Sequence, residues 1–171
     1  GGFDYAESGF YAGSWWGSID FGDTTDANVE WDLYAGLTPS WNGLDFDFGG
    51  IYYIYPDADN NDYNFFELYA GVSKSLDDAV SVGAKFAYSP DFFGATGTGT
   101  YTEGNIAFAL TEVVSLDAAV GYQTIDEDED YTTFNLGATV SMNGFDLDFR
   151  YHDADYPGID DAFVISLGRS F

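Results

Sequence analysis

The chain has 171 residues, of which 30 are acidic and 4 are basic, so its formal net charge at pH 7 is −26. This charge argues against binding to nucleic acid or to an anionic lipid surface, and the absence of cysteine excludes disulfides, thiol catalysis and cysteine-ligated metals. Aromatic residues make up 20% of the chain, an apolar content that argues against a disordered polyanion.

Apolar and polar residues alternate along the whole chain, whereas helical periodicity is almost absent. Most alternating segments have ten or more residues, close to the ~9–11 that a tilted strand needs to cross a bilayer. No run approaches the ~18 apolar residues of a membrane-spanning helix. The predicted strands are FDYAE, FYAGSWWGSIDF, VEWDLYAGLTPSW, LDFDFGGIYYIY, YNFFELYAGVSKSL, AVSVGAKFAYSPDFF, TYTEGNIAFAL, VSLDAAVGYQTI, YTTFNLGATVSM, FDLDFRYHD and AFVISLGRSF.

The connections between these strands fall into two classes that alternate along the chain. The tight class contains two Asn-Gly pairs, which favour type I′ hairpin turns because both central positions need positive φ. Short turns on one side and long loops on the other are typical of a bacterial outer-membrane barrel. The tight turns are Glu7-Ser8-Gly9, Asn42-Gly43, Asp77-Asp78, Glu112-Val113 and Asn143-Gly144; the long loops are GDTTDAN, PDADNND, GATGTG, DEDED and DADYPGIDD.

The alternation sorts most strands into one apolar and one polar face, although FYAGSWWGSIDF cannot be sorted. A soluble sandwich would hide the apolar face, and a membrane barrel would turn it toward lipid. The long strands, and the separation of short turns from long loops, favour the barrel. The lumen of such a barrel would be acidic and would favour cations. In the alternative, the carboxylates only hydrate the interior and pair with the two bases and the tyrosines. The predicted lumen residues are Glu30, Asp32, Asp45, Asp47, Glu67, Glu103, Asp117, Asp146 and Asp148, with Lys85 and Arg150.

Aromatic residues near strand ends predict membrane-interface girdles, as at Trp31, Trp41 and the terminal Phe171. Counting back from Phe171 in the periplasm places every tight turn on the periplasmic side. Single-chain bacterial barrels have an even number of strands, and eleven are predicted. We therefore expect residues 1–171 to form one outer-membrane barrel domain that lacks one N-terminal strand, the parent barrel having about twelve.

Two acidic loops resemble weak divalent-cation sites. Asp57, Asp59 and Asp62 loosely follow a calcium loop, but the EF-hand pattern would require Gly at Asp62 and Glu at Leu68. Weak calcium binding, or bridging to lipopolysaccharide phosphates, is one interpretation, and a solvated surface is the favoured one. The second loop is the acidic run that contains Asp126, Asp128 and Asp130.

His152 is the only histidine, and no serine lies at a spacing that would predict a catalytic pair. A histidine in the lumen or at its rim is therefore the favoured interpretation, and no enzymatic function is predicted. Lys74 and Arg169 fall on the apolar-face register near periplasmic strand ends, where snorkelling to the interface explains them.

The segments GGFDYAESGFYAGSWWGSIDFGD, ANVEWDLYAG, IYYIYP, YSPDFFG, VGYQ and the ending GRSF resemble the TorF-like porin family, also called Gcw_chp. The resemblance extends over essentially the whole chain, and the order and spacing of the segments carry it. It implies an outer-membrane β-barrel with a suspected pore function and no established substrate, and it implies that Phe171 serves as an assembly signal.

The leading hypothesis is a Gram-negative outer-membrane porin that passes cations or small neutral solutes without a cofactor. A second hypothesis is a structural barrel with a closed lumen, forming homo-oligomers or presenting its acidic loops to partners. A third is an acidic soluble sandwich, which would need no detergent.

Overall fold

The computed structural model describes residues 1–20, 25–59, 61–157 and 160–171. The predicted loops GDTTDAN, PDADNND and DADYPGIDD and the end of the predicted strand FYAGSWWGSIDF therefore lie partly outside the described residues. Over these residues the fold is all-β, with short 3-10 turns at Asn61–Tyr63 and Phe93–Ala95. In the part described, no helix has the length and apolarity to cross a membrane. The strands are β1 (Gly2–Glu7), β2 (Phe10–Ser18), β3 (Val29–Leu37), β4 (Ser40–Trp41), β5 (Leu44–Ile54), β6 (Phe65–Ser75), β7 (Val80–Ser89), β8 (Gly99–Ala109), β9 (Val114–Ile125), β10 (Tyr131–Met142), β11 (Phe145–Ala154) and β12 (Ala162–Arg169).

The strands form one antiparallel sheet whose order follows the chain, with the two-residue strand β4 paired only to β5. The other eleven strands correspond to the eleven predicted segments, and β5 to β11 have 10 to 12 residues each. Eleven alternating strands leave β1 and β12 running in the same direction. Among the described residues no pairing joins these two strands, so the sheet is open between them. The expected additional N-terminal strand stays a prediction.

Solvent exposure shows which face of the sheet is turned inward. On β3, Asp32 is 7% exposed, whereas its neighbours Trp31 and Leu33 are both 40% exposed. The same contrast separates Gln123, which is 5% exposed, from Leu136, which is 60% exposed. The polar face is therefore inside and the apolar face outside, which confirms the predicted barrel and excludes the soluble sandwich.

Pairing with β3 assigns the faces of β2, which the sequence left open. Trp15 lies opposite Asp32 and therefore faces inward, and Trp16 lies opposite Trp31 and faces outward. The Trp31 indole N–H donates a hydrogen bond of 2.8 Å to the Ser14 hydroxyl on the outer face. Aromatic residues on both faces, and a covered serine on the outer one, explain why alternation alone could not sort this strand.

The two Asn-Gly turns have the backbone geometry that their sequences predict. Asn42 and Gly43 have φ of 53° and 74°, and Asn143 and Gly144 have φ of 55° and 78°. Positive φ at both central positions belongs to type I′ turns, whose twist matches that of the flanking strands. These turns set the register of the hairpins that bring the polar side chains together.

Replacing Gly43 with alanine should lower the free energy of unfolding by about 1 kcal/mol, because a side chain is disfavoured at positive φ. A β-carbon at Gly43 would meet no atom within 4 Å, so the effect isolates backbone strain. Gly104→Ala is the matched control, since Gly104 also has open space but no positive φ. Urea unfolding in detergent, followed by tryptophan fluorescence, would contradict this interpretation if both variants lost equal stability.

Candidate functional site: the inner face of the sheet

Cross-strand register places the predicted lumen residues on one continuous inner face. Asp32 lies beside Tyr53, and Asp47 lies beside Gly71, which in turn lies beside Lys85. Because residues directly opposite each other in a sheet share a face, the register extends this surface from β1 to β12. The inner face carries Glu30, Asp32, Asp45, Asp47, Glu67, Lys85, Glu103, Asp117, Asp146, Asp148 and Arg150.

Tyrosine side chains on the inner face lie flat over glycines of the neighbouring strand. A β-carbon at Gly36 would collide with the ring end of Tyr11, and one at Gly49 would collide with that of Tyr69. The pairs Tyr34 over Gly13 and Tyr101 over Gly121 repeat the arrangement. A tyrosine that lies along the wall does not project across the lumen, and the glycines provide the space for this orientation.

The flat tyrosines donate hydrogen bonds to the carboxylates beside them. Tyr11 Oη donates to Asp47 Oδ1 at 2.7 Å and is also hydrogen-bonded to Tyr69 Oη. Tyr101 Oη donates to Glu103 Oε2 at 2.9 Å. These contacts hold the carboxylates against the wall without neutralising them, because a phenol is uncharged at neutral pH.

Arg150 forms the strongest ionic contact of the inner face. Its guanidinium donates to both oxygens of Asp117 at 2.5 and 2.9 Å, to Asp148 at 3.1 and 3.3 Å and to Asn135 Oδ1 at 2.6 Å. The guanidinium lies over Gly137, where any β-carbon would displace it. Arg150 thus joins β9, β10 and β11 and offsets part of the charge of two carboxylates, while lying along the wall.

Lys85 lies in a recess of about 330 Å³ on the inner wall, which Asp45, Asp47 and Glu103 also line. Its Nζ is 4.8 Å from the centre of the Tyr69 ring, a distance that fits a cation–π contact. Lys85 also lies opposite Glu103 in the pairing of β7 with β8. Carboxylates and one ammonium group therefore share this recess in the inner wall.

A cluster of aromatic residues, which we call the mouth cluster, fills one side of the lumen at the long-loop end. Its rings stack at 4.3 Å between Tyr53 and Phe65 and at 4.9 Å between Tyr63 and Phe93. Phe92 also packs against Phe65, with ring centres 4.8 Å apart. Sequence reasoning missed this cluster, for which the aromatic pair in the YSPDFFG segment was the available signal. The mouth cluster consists of Ala27, Tyr53, Tyr55, Tyr63, Phe65, Phe92 and Phe93.

Carboxylates of the acidic loops accept hydrogen bonds from nearby loop and strand-end backbone. Asp57 accepts bonds from the Asn28 N–H and side-chain amide and from the Val29 N–H, at 3.0 to 3.2 Å. Partial desolvation acts to raise the pKa of Asp57, but these hydrogen bonds outweigh it and the net pKa is lowered. Asp126 accepts from the Thr98 N–H at 3.1 Å, and Asp59 donates its own N–H to Asp26 at 3.0 Å.

Carboxylates of the second acidic loop, which contains Asp126, Asp128 and Asp130, also accept hydrogen bonds from nearby groups. Asp130 Oδ1 accepts from the Ile125 N–H at 3.2 Å, and Asp128 accepts from the Tyr156 hydroxyl at 2.9 and 3.0 Å. Asp62, which belongs to the first acidic loop, is exposed in the 3-10 turn Asn61–Tyr63. Within the described ranges, no three carboxylate or histidine side chains converge as metal ligands. These loop carboxylates therefore hold the loops together, and weak calcium binding stays a prediction.

The predicted girdle residues lie on the outer surface. Trp41 is 72% exposed beside a tight turn, and Phe171 is fully exposed at the chain end. The Arg169 guanidinium lies over the Phe171 ring at 4.7 Å and over the Phe145 ring at 4.8 Å. His152 faces inward, opposite Asn135.

An antiparallel sheet with an acidic inner face and an apolar outer face is a porin-like barrel. The chain belongs to the family described as "Bacterial protein of unknown function (Gcw_chp)", which matches residues 1–167. It is similar to a solved structure titled "KdgM porin", with 12% identity, a TM-score of 0.76 and coverage of 99% of this chain and 89% of that one. At this identity the likeness establishes the fold alone.

A structure titled "Structure of porin refined at 1.8 angstroms resolution" is 15% identical, with coverage of 97% of this chain and 59% of that one. Its TM-score of 0.47 is too low to carry an argument. A search of curated proteins found no match.

Replacing Arg150 with glutamine should lower the free energy of unfolding by about 2 kcal/mol, because Asp117 and Asp148 lose their charged partner. Lys74→Gln, which removes a cation outside this network, should change stability by less than about 0.5 kcal/mol. Denaturant unfolding of both purified variants measures the difference. Equal stability of the two variants would mean that the Arg150 network does not hold β9, β10 and β11 together.

Proposed function

We propose that this protein is an outer-membrane diffusion pore for small solutes that prefers cations. The carrying observation is the imbalance of charge on the inner face. Among the described residues, the ion pairs within 4 Å are those of Arg150 with Asp117 and Asp148. Seven other predicted lumen carboxylates have no basic side chain within 4 Å among the described residues, against the single ammonium of Lys85.

This charge distribution would act on ions in a confined space. A lumen with carboxylates on low-dielectric walls concentrates cations and repels anions. The flat tyrosines support an open path, because the rings of Tyr11, Tyr34, Tyr69 and Tyr101 lie along the wall. Diffusion through such a lumen requires no covalent chemistry, so we propose no enzymatic role and no cofactor, apart from weak calcium at the acidic loops.

The outer membrane is the environment that fits this surface best. Leu68, Val120 and Leu136 are more than half exposed on the outer face, where lipid would cover them. The resemblance to TorF-like porins supports the same location and function. The acidic loops would lie at the cell surface beside lipopolysaccharide.

The mouth cluster favours a second candidate function, a structural barrel with a closed lumen. Tyr55 and Phe65 are 5% and 7% exposed, so this side of the long-loop end is packed like a core. Such a barrel would conduct no ions, and its acidic loops would serve as a surface for partners or for further copies of the chain. Conductance in a planar bilayer separates the two functions.

Replacing Gly49 with alanine should reduce single-channel conductance by a factor of roughly 1.5 to 2, because Tyr69 must leave the wall and enter the lumen. The control Gly104→Ala adds the same methyl group on the outer face, where nothing lies within 4 Å. Equal conductance of Gly49→Ala and the unmodified protein would show that the bore does not depend on the flat tyrosine.

Neutralising Asp45 and Asp47 together, as Asp45→Asn and Asp47→Asn, should lower the permeability ratio of potassium to chloride roughly twofold. The reversal potential under a potassium chloride gradient measures this ratio. The matched control is Asp78→Asn with Glu112→Gln, which removes two charges from exposed tight turns where salt screens them. An unchanged reversal potential in the first double variant alone would contradict the assignment of selectivity to these residues.

A further inference from the structure

The carboxylate of Asp32 has no counter-charge from the protein. Asp32 is 7% exposed, and its Oδ1 is buried without a hydrogen-bond partner among the described residues. An unpaired charge in a buried position costs several kcal/mol unless something neutralises it. Asp45 and Asp146 accept hydrogen bonds from Ser40 and Ser141 at 2.5 Å. Tyr11 and Tyr101 donate to Asp47 and Glu103, and Arg150 pairs with Asp117 and Asp148. The buried oxygen without a partner sets Asp32 apart.

None of the four basic side chains is placed to balance this charge. Arg150 is engaged by Asp117 and Asp148 on the β9 to β11 wall, and Lys85 lies over the Tyr69 ring. Lys74 and Arg169 lie on the outward register, opposite Val82 and Phe145. The residue two positions from Asp32 on the same face is Glu30, which adds negative charge.

Aromatic rings surround the carboxylate on both neighbouring strands. Trp15 lies directly opposite Asp32 on β2, and Tyr53 lies opposite it on β5. The Trp15 indole lies flat toward Gly17, where a β-carbon would be 2.6 Å from the ring. Because Gly17 is the partner of Glu30, the indole extends along the wall from Asp32 toward Glu30. Tyr55 donates to Glu30 Oε2 at 2.7 Å and orients that carboxylate.

We propose that Asp32 and Glu30 form a binding site for one monovalent cation, with the Trp15 ring as a third contact. The two carboxylates supply oxygen ligands, and an indole is the aromatic ring that attracts cations best. Two carboxylates supply too few ligands for calcium, which requires six to eight oxygens. The site lies beneath the mouth cluster, at the long-loop end of the lumen. The inference deepens the proposed cation preference and rests on ions reaching the lumen, but it does not require them to pass through.

Thallium(I) is a suitable probe, because it replaces potassium and quenches a tryptophan that it contacts. The protein in detergent is titrated with thallium nitrate, and tryptophan emission is followed. We expect a saturable quenching component that potassium nitrate displaces. Trp15→Phe should remove the saturable emission change, which identifies the reporter, since Trp16 and Trp31 face the detergent.

Asp32→Asn should raise the dissociation constant for thallium by about tenfold, whereas Asp78→Asn, which removes a charge from an exposed tight turn, should leave it unchanged within about twofold. Electrophoretic mobility on a denaturing gel, compared between unheated and heated samples, checks that each variant is folded. If Asp32→Asn does not fold, Glu30→Gln takes its place and should weaken binding at least about threefold.

Quenching that rises linearly with thallium in the unmodified protein would overturn the site and leave a proton as the neutralising charge of Asp32. Saturable quenching that survives in folded Asp32→Asn would also overturn it. A bilayer recording on the same preparation separates the two proposals. Saturable quenching with a silent bilayer supports the site and contradicts the pore, whereas conductance without saturable quenching supports the pore and contradicts the site.

Discussion

The packing of large inner side chains over glycines is the contact on which the lumen depends. Tyr11, Tyr69 and Arg150 each cover a glycine of an adjacent strand, at Gly36, Gly49 and Gly137. A glycine in a strand normally weakens the strand, since it has no side chain to pack. In this sheet the neighbouring ring or guanidinium supplies that packing.

The same packing distributes charge unevenly around the lumen. On the β9 to β11 wall, Arg150 pairs with Asp117 and Asp148 and offsets part of their negative charge. On the β3 to β6 wall, phenols bind carboxylates without changing their charge, as Tyr11 does at Asp47. A mobile cation would therefore meet most negative charge on one side of the lumen, with Asp32 near the long-loop end and Asp45 near the tight turns.

The acidic loops show how carboxylates can serve structure in a chain with so few bases. Asp57 and Asp126 accept backbone N–H groups of neighbouring loop and strand-end residues, which would otherwise lack partners. The mouth cluster lies at the same end of the barrel, and Tyr55 and Phe65 are its most buried rings. The acidic loops and the apolar mouth cluster thus lie together at the long-loop end of the barrel.

The sequence by itself determined the strands, the tight turns and the division of most strands into two faces, because period-two alternation and Asn-Gly pairs are local signals. Alternation is symmetric, however, so it could not show that Asp32 faces inward and Leu33 outward. That choice became visible only in the exposure of the folded sheet. The faces of β2, the tyrosine–glycine pairs, the mouth cluster and the isolation of Asp32 were likewise decided by the tertiary structure. Each depends on which residues of separate strands or loops meet. The local sequence of one segment does not specify its register with a distant segment.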